Sequence, residues 1–188
     1  MARWAPYAPA GCAALDLACG QGRHVRLLHQ LGYAVHAVDR DPAAMNSLRN
    51  WLLEQGITPE ALAQRLLCHD LEAQPWPFEA QRFGLIVVSR YLWRPLLPKL
   101  LHALDNGGYL LYETFTQAQA TLGSPRNPDF LLTPGELLRI ATQAQLEVIA
   151  YEDGYDVDGR LQPEPAAGKL GSTGGQYLQR VAARRPSC

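Results

Sequence analysis

Short apolar, β-prone runs alternate along the chain with segments whose apolar residues recur at helical spacing, which is the pattern of an α/β sheet. Ala13 to Leu17 predicts a first strand that ends on a glycine-rich turn. A helix follows from about Arg23 to Leu31, with Gly32 at the position after its C-cap. Tyr33 to Val38 predicts a second strand, ending at Asp39. Asp41-Pro42 then supplies an N-cap and a first-turn proline. The helix it opens carries Met45, Leu48, Trp51 and Leu52 on one face and stops near Gly56. Thr58-Pro59 opens a short helix by the same logic. Arg65 to His69 predicts a third strand, ending at Asp70.

Gln74 to Glu79 is a proline-rich loop. Phe83 to Val88 is nearly continuous in apolar residues, as a central parallel strand should be. A helix from about Pro95 to Leu104 leads to the turn Asp105-Asn106-Gly107-Gly108. Tyr109 to Tyr112 predicts a fifth strand that runs into Glu113-Thr114-Phe115. A loop from about 116 to 132 follows. Thr133-Pro134-Gly135-Glu136 reads as a capping box that starts another helix. Leu146 to Tyr151 is a sixth strand. Asp153 to Gly175, with six glycines and two prolines, reads as loop, and Gln176 to Ala183 as a last strand. The expectation is seven strands, with helices between the first six.

The 188 residues suit one domain, expected to span 1–188, and a 47% hydrophobic content is enough to bury a core. A net charge of -1 gives no sign of a nucleic-acid or membrane partner. No apolar run approaches the ~20 residues of a membrane span, and residues 1–10 lack the apolar core of a signal peptide. Cys12, Cys19, Cys68 and Cys188 form no disulfide framework or CxxC pair, and the five histidines do not pair as metal ligands do. The simplest reading is a reduced, cytoplasmic, metal-free protein.

The chemistry concentrates at three strand ends. The turn Asp16-Leu17-Ala18-Cys19-Gly20-Gln21-Gly22 follows a strand and opens a helix, where glycines let backbone amides approach a ligand. Alone, such a turn is also common as a packing device. Asp39 ends the next strand, 19 residues after Gly20, where a carboxylate accepts hydrogen bonds from the hydroxyls of a ribose. Asp70 ends the third, where its carboxylate and the Leu71 amide can read an adenine edge. Dinucleotide turns carry a third glycine where this chain has Val25. Asp16 begins the turn with a negative charge, which repels phosphates and suits an ammonium or a sulfonium. These features favour S-adenosylmethionine over NAD or FAD.

Leu15 to Gly22, Val38 to Asp41, His69 to Leu71, Phe83 to Tyr91 and the pair Gly107-Gly108 make the chain resemble the class I S-adenosylmethionine-dependent methyltransferases. Arg90 to Pro95, Tyr112 to Phe115 and Gly123 to Phe130 make it similar to small bacterial members near the tellurite-resistance methyltransferases. The resemblance implies a three-layer Rossmann-like fold, with a seven-stranded, mostly parallel sheet whose last strand is antiparallel. By position it implies that Asp16, Ala18, Cys19, Gly20 and Gly22 cradle the methionine part. Asp39 would then hold the ribose, Arg40 and Met45 flank the adenine, and Asp70 and Leu71 read its edge. Ser89 and Arg90 would lie near the methyl group. Ala18 departs from the glycine usual in the family and is tolerated if its φ is negative.

Methyl transfer from a sulfonium needs mainly proximity and alignment. If the acceptor is a hydroxyl or amine, a base helps, and Glu113 and His24 are the candidates. Glu113 is otherwise a helix cap or surface partner, and His24 an exposed first-turn residue. Tyr91 and Trp93 can line the methyl pocket, with core packing the alternative for Trp93. Arg90, Arg94 and Arg126 can bind an anionic substrate. Cys19 reads as a small packed residue. No Asn/Asp-Pro-Pro-Tyr/Phe sequence follows Ser89, which argues against methylation of planar amide or amino nitrogens. The loops at about 116–132 and 153–175 and the N-terminal arm are left to build a small-molecule substrate site. The competing hypothesis is a non-catalytic adenosyl-binding module acting through a protein partner, with the pocket plugged by Trp93 or Tyr91.

Overall fold

A computed structural model describes residues 3–157, 159–162 and 175–187. Eight strands form one sheet: β1 (Ala13–Leu17), β2 (Ala34–Asp39), β3 (Leu66–Cys68), β4 (Phe83–Ser89), β5 (Leu104–Phe115), β6 (Glu147–Val157), β7 (Arg160–Gln162) and β8 (Gln176–Arg184). Their order is β3-β2-β1-β4-β5-β8-β6-β7. β1 to β5 pair in parallel, and β8 runs antiparallel between β5 and β6. The helices are α1 (Arg23–Gln30), α2 (Pro42–Glu54), α3 (Pro59–Arg65), α4 (Leu97–Ala103) and α5 (Glu136–Gln143).

The layers follow from strand alternation. On β4, Leu85 and Val87 face one side and pack with Val25 and Leu28 of α1 and with Leu48 and Leu52 of α2. Ile86 and Val88 face the other side, with Leu100 of α4 and Leu137 and Ala141 of α5. Both faces of β4 are therefore covered, which explains its unbroken apolar run. Asp41 and Thr58 cap α2 and α3 as their positions predict, accepting from the amides of Ala43 at 2.8 Å and Ala61 at 3.3 Å.

Four boundaries differ from the sequence reading. The count is eight strands, because β6 runs on through Asp153 to Val157 and folds back as β7, where a loop was expected. Tyr155 anchors this extension, with its side chain buried and its ring 5.1 Å from that of Tyr177. The remainder of the expected loop, 163–174, lies outside the described residues. Asp105 to Gly108 is a bulge within β5: Phe83 pairs with Leu104 and Leu85 with Tyr109, so the four residues arch out between them. The segment from Pro95 begins as a 3-10 turn, Arg94–Leu96, before α4. α5 starts at Glu136, three residues after Thr133, because Gly135 adopts φ 69°. Glu136 Oε2 still accepts from the Thr133 amide at 2.8 Å, which is half of the expected box.

Among the described residues no helix is long and apolar enough to cross a membrane, and no cluster of three His, Cys, Asp or Glu side chains is set to hold a metal ion. The parallel strands end on one rim. Between β1 and β4 the strand order reverses, which opens a crevice there.

Candidate functional site

The turn after β1 is held open by its backbone. Ala18, Gly20 and Gly22 have φ of 53°, 52° and 75°. Ala18 thus does not meet the condition of a negative φ under which alanine sits there without cost: the bend that reverses the chain at the end of β1 needs a left-handed residue, and alanine adopts it with strain. A Cβ on Gly22 would meet Leu48 Cδ1 at 2.6 Å, so only glycine lets α1 start this close to α2. A Cβ on Gly20 would meet nothing within 4 Å, so the turn's backbone faces open space there. Cys19 ties the turn back to β2, its amide donating to the Val38 carbonyl at 3.1 Å. Its Sγ lies 3.7 Å from Met45 Sδ, and Met45 is buried behind the turn.

Asp16 sits beneath the turn with 1% exposure, and its Oδ2 has no partner among the described residues. Burial pushes its pKa up to about 7, against a hydrogen bond from the Val25 amide and the charge of Arg23. Asp39 is held at the end of β2 by two amides, Gly20 to Oδ2 at 2.7 Å and Asp41 to Oδ1 at 2.9 Å. Each oxygen keeps a further lone pair for a ligand. Asp70 is fixed similarly, its Oδ1 accepting from the amides of Glu72 at 2.9 Å and Ala73 at 3.3 Å.

These strand ends open on one cleft of about 420 Å³. Of the residues the sequence reading assigned to the cofactor and acceptor, Ala18, Asp39, Arg40, Asp70, Leu71, Arg90 and Tyr91 line it, whereas Asp16, Cys19, Gly20, Gly22, Met45 and Ser89 do not. The cleft continues to Thr114 and Phe115 at the end of β5 and to Pro125 and Phe130. The sequence reading quoted these four within its resemblance motifs without giving them a site role, although it expected the loop at 116–132 to build the substrate site. His69 and Glu72 also line the cleft, and the only signal for them was their place beside Asp70. The N-terminal arm goes elsewhere: Ala5 and Ala8 pack in the core and their carbonyls accept from the Tyr33 hydroxyl at 2.7 and 3.2 Å.

A second cavity of about 410 Å³ adjoins the first through Arg90. Arg23, His24, Glu113, Asp156 and Arg180 line it. Glu113 is ion-paired with Arg180, which also reaches Asp156 at 3.2 Å and Glu152 at 3.6 Å. It is thus neither a helix cap nor a carboxylate free to act as a base. His24 is buried rather than exposed, because the first turn of α1 packs against the sheet. Burial and the Arg23 charge bring its pKa down to about 4. Ser89 accepts from Arg23 Nη2 at 3.4 Å and lies outside the lining of either cavity.

Tyr91 faces the cleft, while its hydroxyl is sealed without a partner among the described residues and burial raises its pKa. Trp93 packs against the core and does not line the cleft. Arg94 is committed to structure, with Glu136 at 2.7 Å and the carbonyls of Asp129 and Leu131 at 2.8 Å each. That removes it as an anion ligand. Arg126 is exposed on the loop and outside the cleft lining.

Residues 14–108, half of the chain, match the protein-family profile described as "Methyltransferase domain". The chain belongs to this methyltransferase family. The matched segment carries the glycine turn, Asp39, Asp70 and Arg90. Its fold is that of TehB from Haemophilus influenzae, at a TM-score of 0.71 with 19% identity, covering 93% of this chain and 57% of that one. Geranyl diphosphate C-methyltransferase from Streptomyces coelicolor A3(2), solved with S-adenosyl-L-homocysteine, gives 0.66 with 16% identity, covering 98% of this chain and 79% of that one. A curated relative, "Hemagglutinin 1" of Eikenella corrodens, is 29% identical over 148 residues, which is 77% of this chain and 47% of that protein. The chain therefore spans about half the length of that relative.

Proposed function

We propose that this methyltransferase transfers a methyl group from S-adenosylmethionine to a small-molecule acceptor. The observation that carries the reading is the convergence of the glycine turn, Asp39 and Asp70 on one cleft at the switch point of the sheet. The residues fit the ligand. Asp39 keeps acceptor capacity for a ribose diol, Asp70 and Leu71 flank the place of an adenine, and the orphaned Asp16 carboxyl lies under the turn where an ammonium would sit. A nicotinamide dinucleotide fits less well, because Val25 is fully buried where a third glycine would bring helix and strand together.

S-adenosylmethionine supplies a methyl group already activated on sulfur. The chain's own residues then need to align and exclude water. The turn fixes one end, Asp39 and Asp70 the other, and Phe115, Pro125 and Phe130 wall the far side against solvent. Neither base candidate named from the sequence is free on the cleft: Glu113 is paired with Arg180, and His24 opens on the second cavity. The cleft's extension past Arg90 favours an enzyme over a plugged binding module, because Trp93 leaves it open. With Cys12, Cys19 and Cys68 carrying free thiols, this reading takes the reducing cytoplasm as the setting. With a net charge of -1, it takes neither nucleic acid nor membrane as partner.

The test is calorimetry with S-adenosylmethionine and S-adenosylhomocysteine, followed by transfer of labelled methyl to a panel of small thiols, amines, phenols and carboxylates. Micromolar binding and at least one labelled product support the reading, and no binding of either ligand refutes it.

A further inference from the structure

Past Arg90 the cleft changes character. Its adenosyl end is lined by charged side chains, among them Asp39, Arg40, Asp70 and Glu72. Its other end is lined by Leu92, Thr114, Phe115, Pro125 and Phe130, none of which titrates. Among the described residues the only charge lining that end is Arg90, at the junction. Its guanidinium is already engaged: it donates to the Gln176 side-chain oxygen at 2.8 Å and lies 5.9 Å from the centre of the Phe115 ring. Phe130 stands apart from the other walls. It stays 41% exposed, so little packing of its own side chain holds it. Its backbone is held instead. Arg94 Nη1 donates to the Asp129 carbonyl and Nη2 to the Leu131 carbonyl, at 2.8 Å each, so one guanidinium grips the chain on both sides of Phe130.

The grip is rigid at its base. Arg94 opens the 3-10 turn Arg94–Leu96, between Trp93, packed against the core, and Leu96, buried in it. It also donates to Glu136, from Nε to Oε1 at 2.7 Å and from Nη2 to Oε2 at 3.0 Å. Glu136 is fixed in turn by the Thr133 amide and hydroxyl, at 2.8 and 2.9 Å. The same segment closes onto β5, where the Leu132 amide donates to the Phe115 carbonyl at 2.9 Å. Phe115 and Phe130 are thus carried on stretches of backbone that hydrogen bonds tie together. An ion pair with Glu136 needs only a cation, whereas a planar fork that spans two carbonyls and a carboxylate needs an arginine. We propose that Arg94 is a positioning residue that sets Phe130 over the acceptor end of the cleft, and that Phe115, Pro125 and Phe130 make this end a seat for a flat, apolar body of the methyl acceptor. The proposal rests on the reading of the cleft given above and narrows its acceptor to a class. A flat ring placed there stacks on or edges onto the phenyl rings and buries apolar surface against them.

The experiment titrates two probes into the full chain saturated with S-adenosylhomocysteine: naphthalene-2-thiol, which carries a flat apolar ring system, and 2-mercaptoethanol, which does not. Thermal melts first establish that each variant is folded, and calorimetry that it binds S-adenosylhomocysteine. The wild type should bind naphthalene-2-thiol about tenfold or more tightly than 2-mercaptoethanol. Phe130→Ala should weaken naphthalene-2-thiol by about tenfold and leave S-adenosylhomocysteine within about twofold. Arg94→Lys keeps a cation for Glu136 and loses the fork. It should weaken naphthalene-2-thiol by about fivefold or more, and by nothing further when added to Phe130→Ala. Equal affinity of the wild type for the two probes, or full affinity in Phe130→Ala, overturns the apolar seat. Full affinity for naphthalene-2-thiol in Arg94→Lys, whatever its melting temperature, reduces the arginine to a stabilising ion pair and overturns its positioning role. If Arg94→Lys does not fold, Glu136→Gln loosens the fork from its other side and must show the same selective loss. Failure of the wild type to bind S-adenosylhomocysteine refutes the methyltransferase reading instead, and naphthalene-2-thiol titrated into the ligand-free protein still judges the seat.

Discussion

The amide of Gly20 donates to Asp39 Oδ2 at 2.7 Å, so the glycine turn and the end of β2, 19 residues apart, are one hydrogen-bonded unit. The same carboxylate accepts from the Asp41 amide at 2.9 Å, which also sets the start of α2. Asp39 therefore has a structural task and a proposed ligand task at once. Asp39→Ala should weaken S-adenosylhomocysteine binding by about 1–3 kcal/mol, from the loss of charge-assisted hydrogen bonds. It should also lower the melting temperature of the ligand-free protein, because two amides lose their acceptor. Calorimetry and a thermal melt on one preparation check both, and unchanged affinity would refute the ribose assignment.

The two left-handed residues flanking the turn make opposite predictions. Ala18 carries a Cβ at φ 53°, and Gly22 lacks one at φ 75°. Ala18→Gly relieves the strain and should raise stability by about 0.5–1 kcal/mol after the extra freedom glycine brings to the unfolded chain. Gly22→Ala adds strain and drives a methyl into Leu48 Cδ1, at 2.6 Å, and should cost roughly 2–4 kcal/mol. Adding Leu48→Ala removes the clash and leaves the strain, so the double variant should recover less than the whole loss relative to Leu48→Ala alone. Denaturant midpoints measure all of these.

The strand ends were legible because their signals are local. A run such as Phe83 to Val88, or a cap such as Asp41-Pro42, fixes an element from within itself. The β6–β7 hairpin was not legible by counting glycines, although Asp158-Gly159 is a two-residue hairpin sequence between β-prone runs. What holds that hairpin is Tyr155 against Tyr177, a contact between segments that no window covers. The same limit applies to the site. Asp39 and Asp70 could be named from strand periodicity, whereas the pairing of Glu113 with Arg180 depends on β5 lying beside β8. The left-handed φ of Ala18 ran against its residue type, so tertiary context overrode local preference.

Glu113 is therefore predicted to matter for stability. Glu113→Gln leaves Arg180, whose side chain is 18% exposed, with Asp156 and Glu152 as remaining partners. The loss should be about 1–3 kcal/mol, below that of a fully buried pair stripped of all compensation. Affinity for S-adenosylhomocysteine should stay within about twofold, since the interaction removed is with Arg180 and not with the adenosyl cleft. A tenfold loss of affinity with unchanged stability would return Glu113 to the ligand site.

Three buried groups, Asp16 on one side and His24 and His36 on the other, give stability opposite slopes with pH. Asp16 ordinarily titrates at 3.8 and in the fold at about 7. Between those values the native state holds a proton that the unfolded chain has released, so stability falls as pH rises through this window. The full effect approaches roughly 4 kcal/mol at 1.36 kcal/mol per unit. His24 ordinarily titrates at 6.5 and in the fold at about 4, with burial the main cause, and His36 behaves the same way. There the unfolded chain binds the extra proton, so stability rises with pH from about 4 to 6.5. With two histidines against one carboxyl, the wild type should show a net rise of about one proton's slope between pH 4 and 6.5. Asp16→Asn should steepen that rise, and His24→Gln should flatten it, because His36 then offsets Asp16. An ammonium bound under the turn favours ionised Asp16, so saturating S-adenosylhomocysteine should stabilise the wild type increasingly as pH rises through 7 and Asp16→Asn less so. Urea midpoints at half-unit pH steps measure each slope, and a wild-type profile parallel to that of Asp16→Asn would show that Asp16 does not carry the proton.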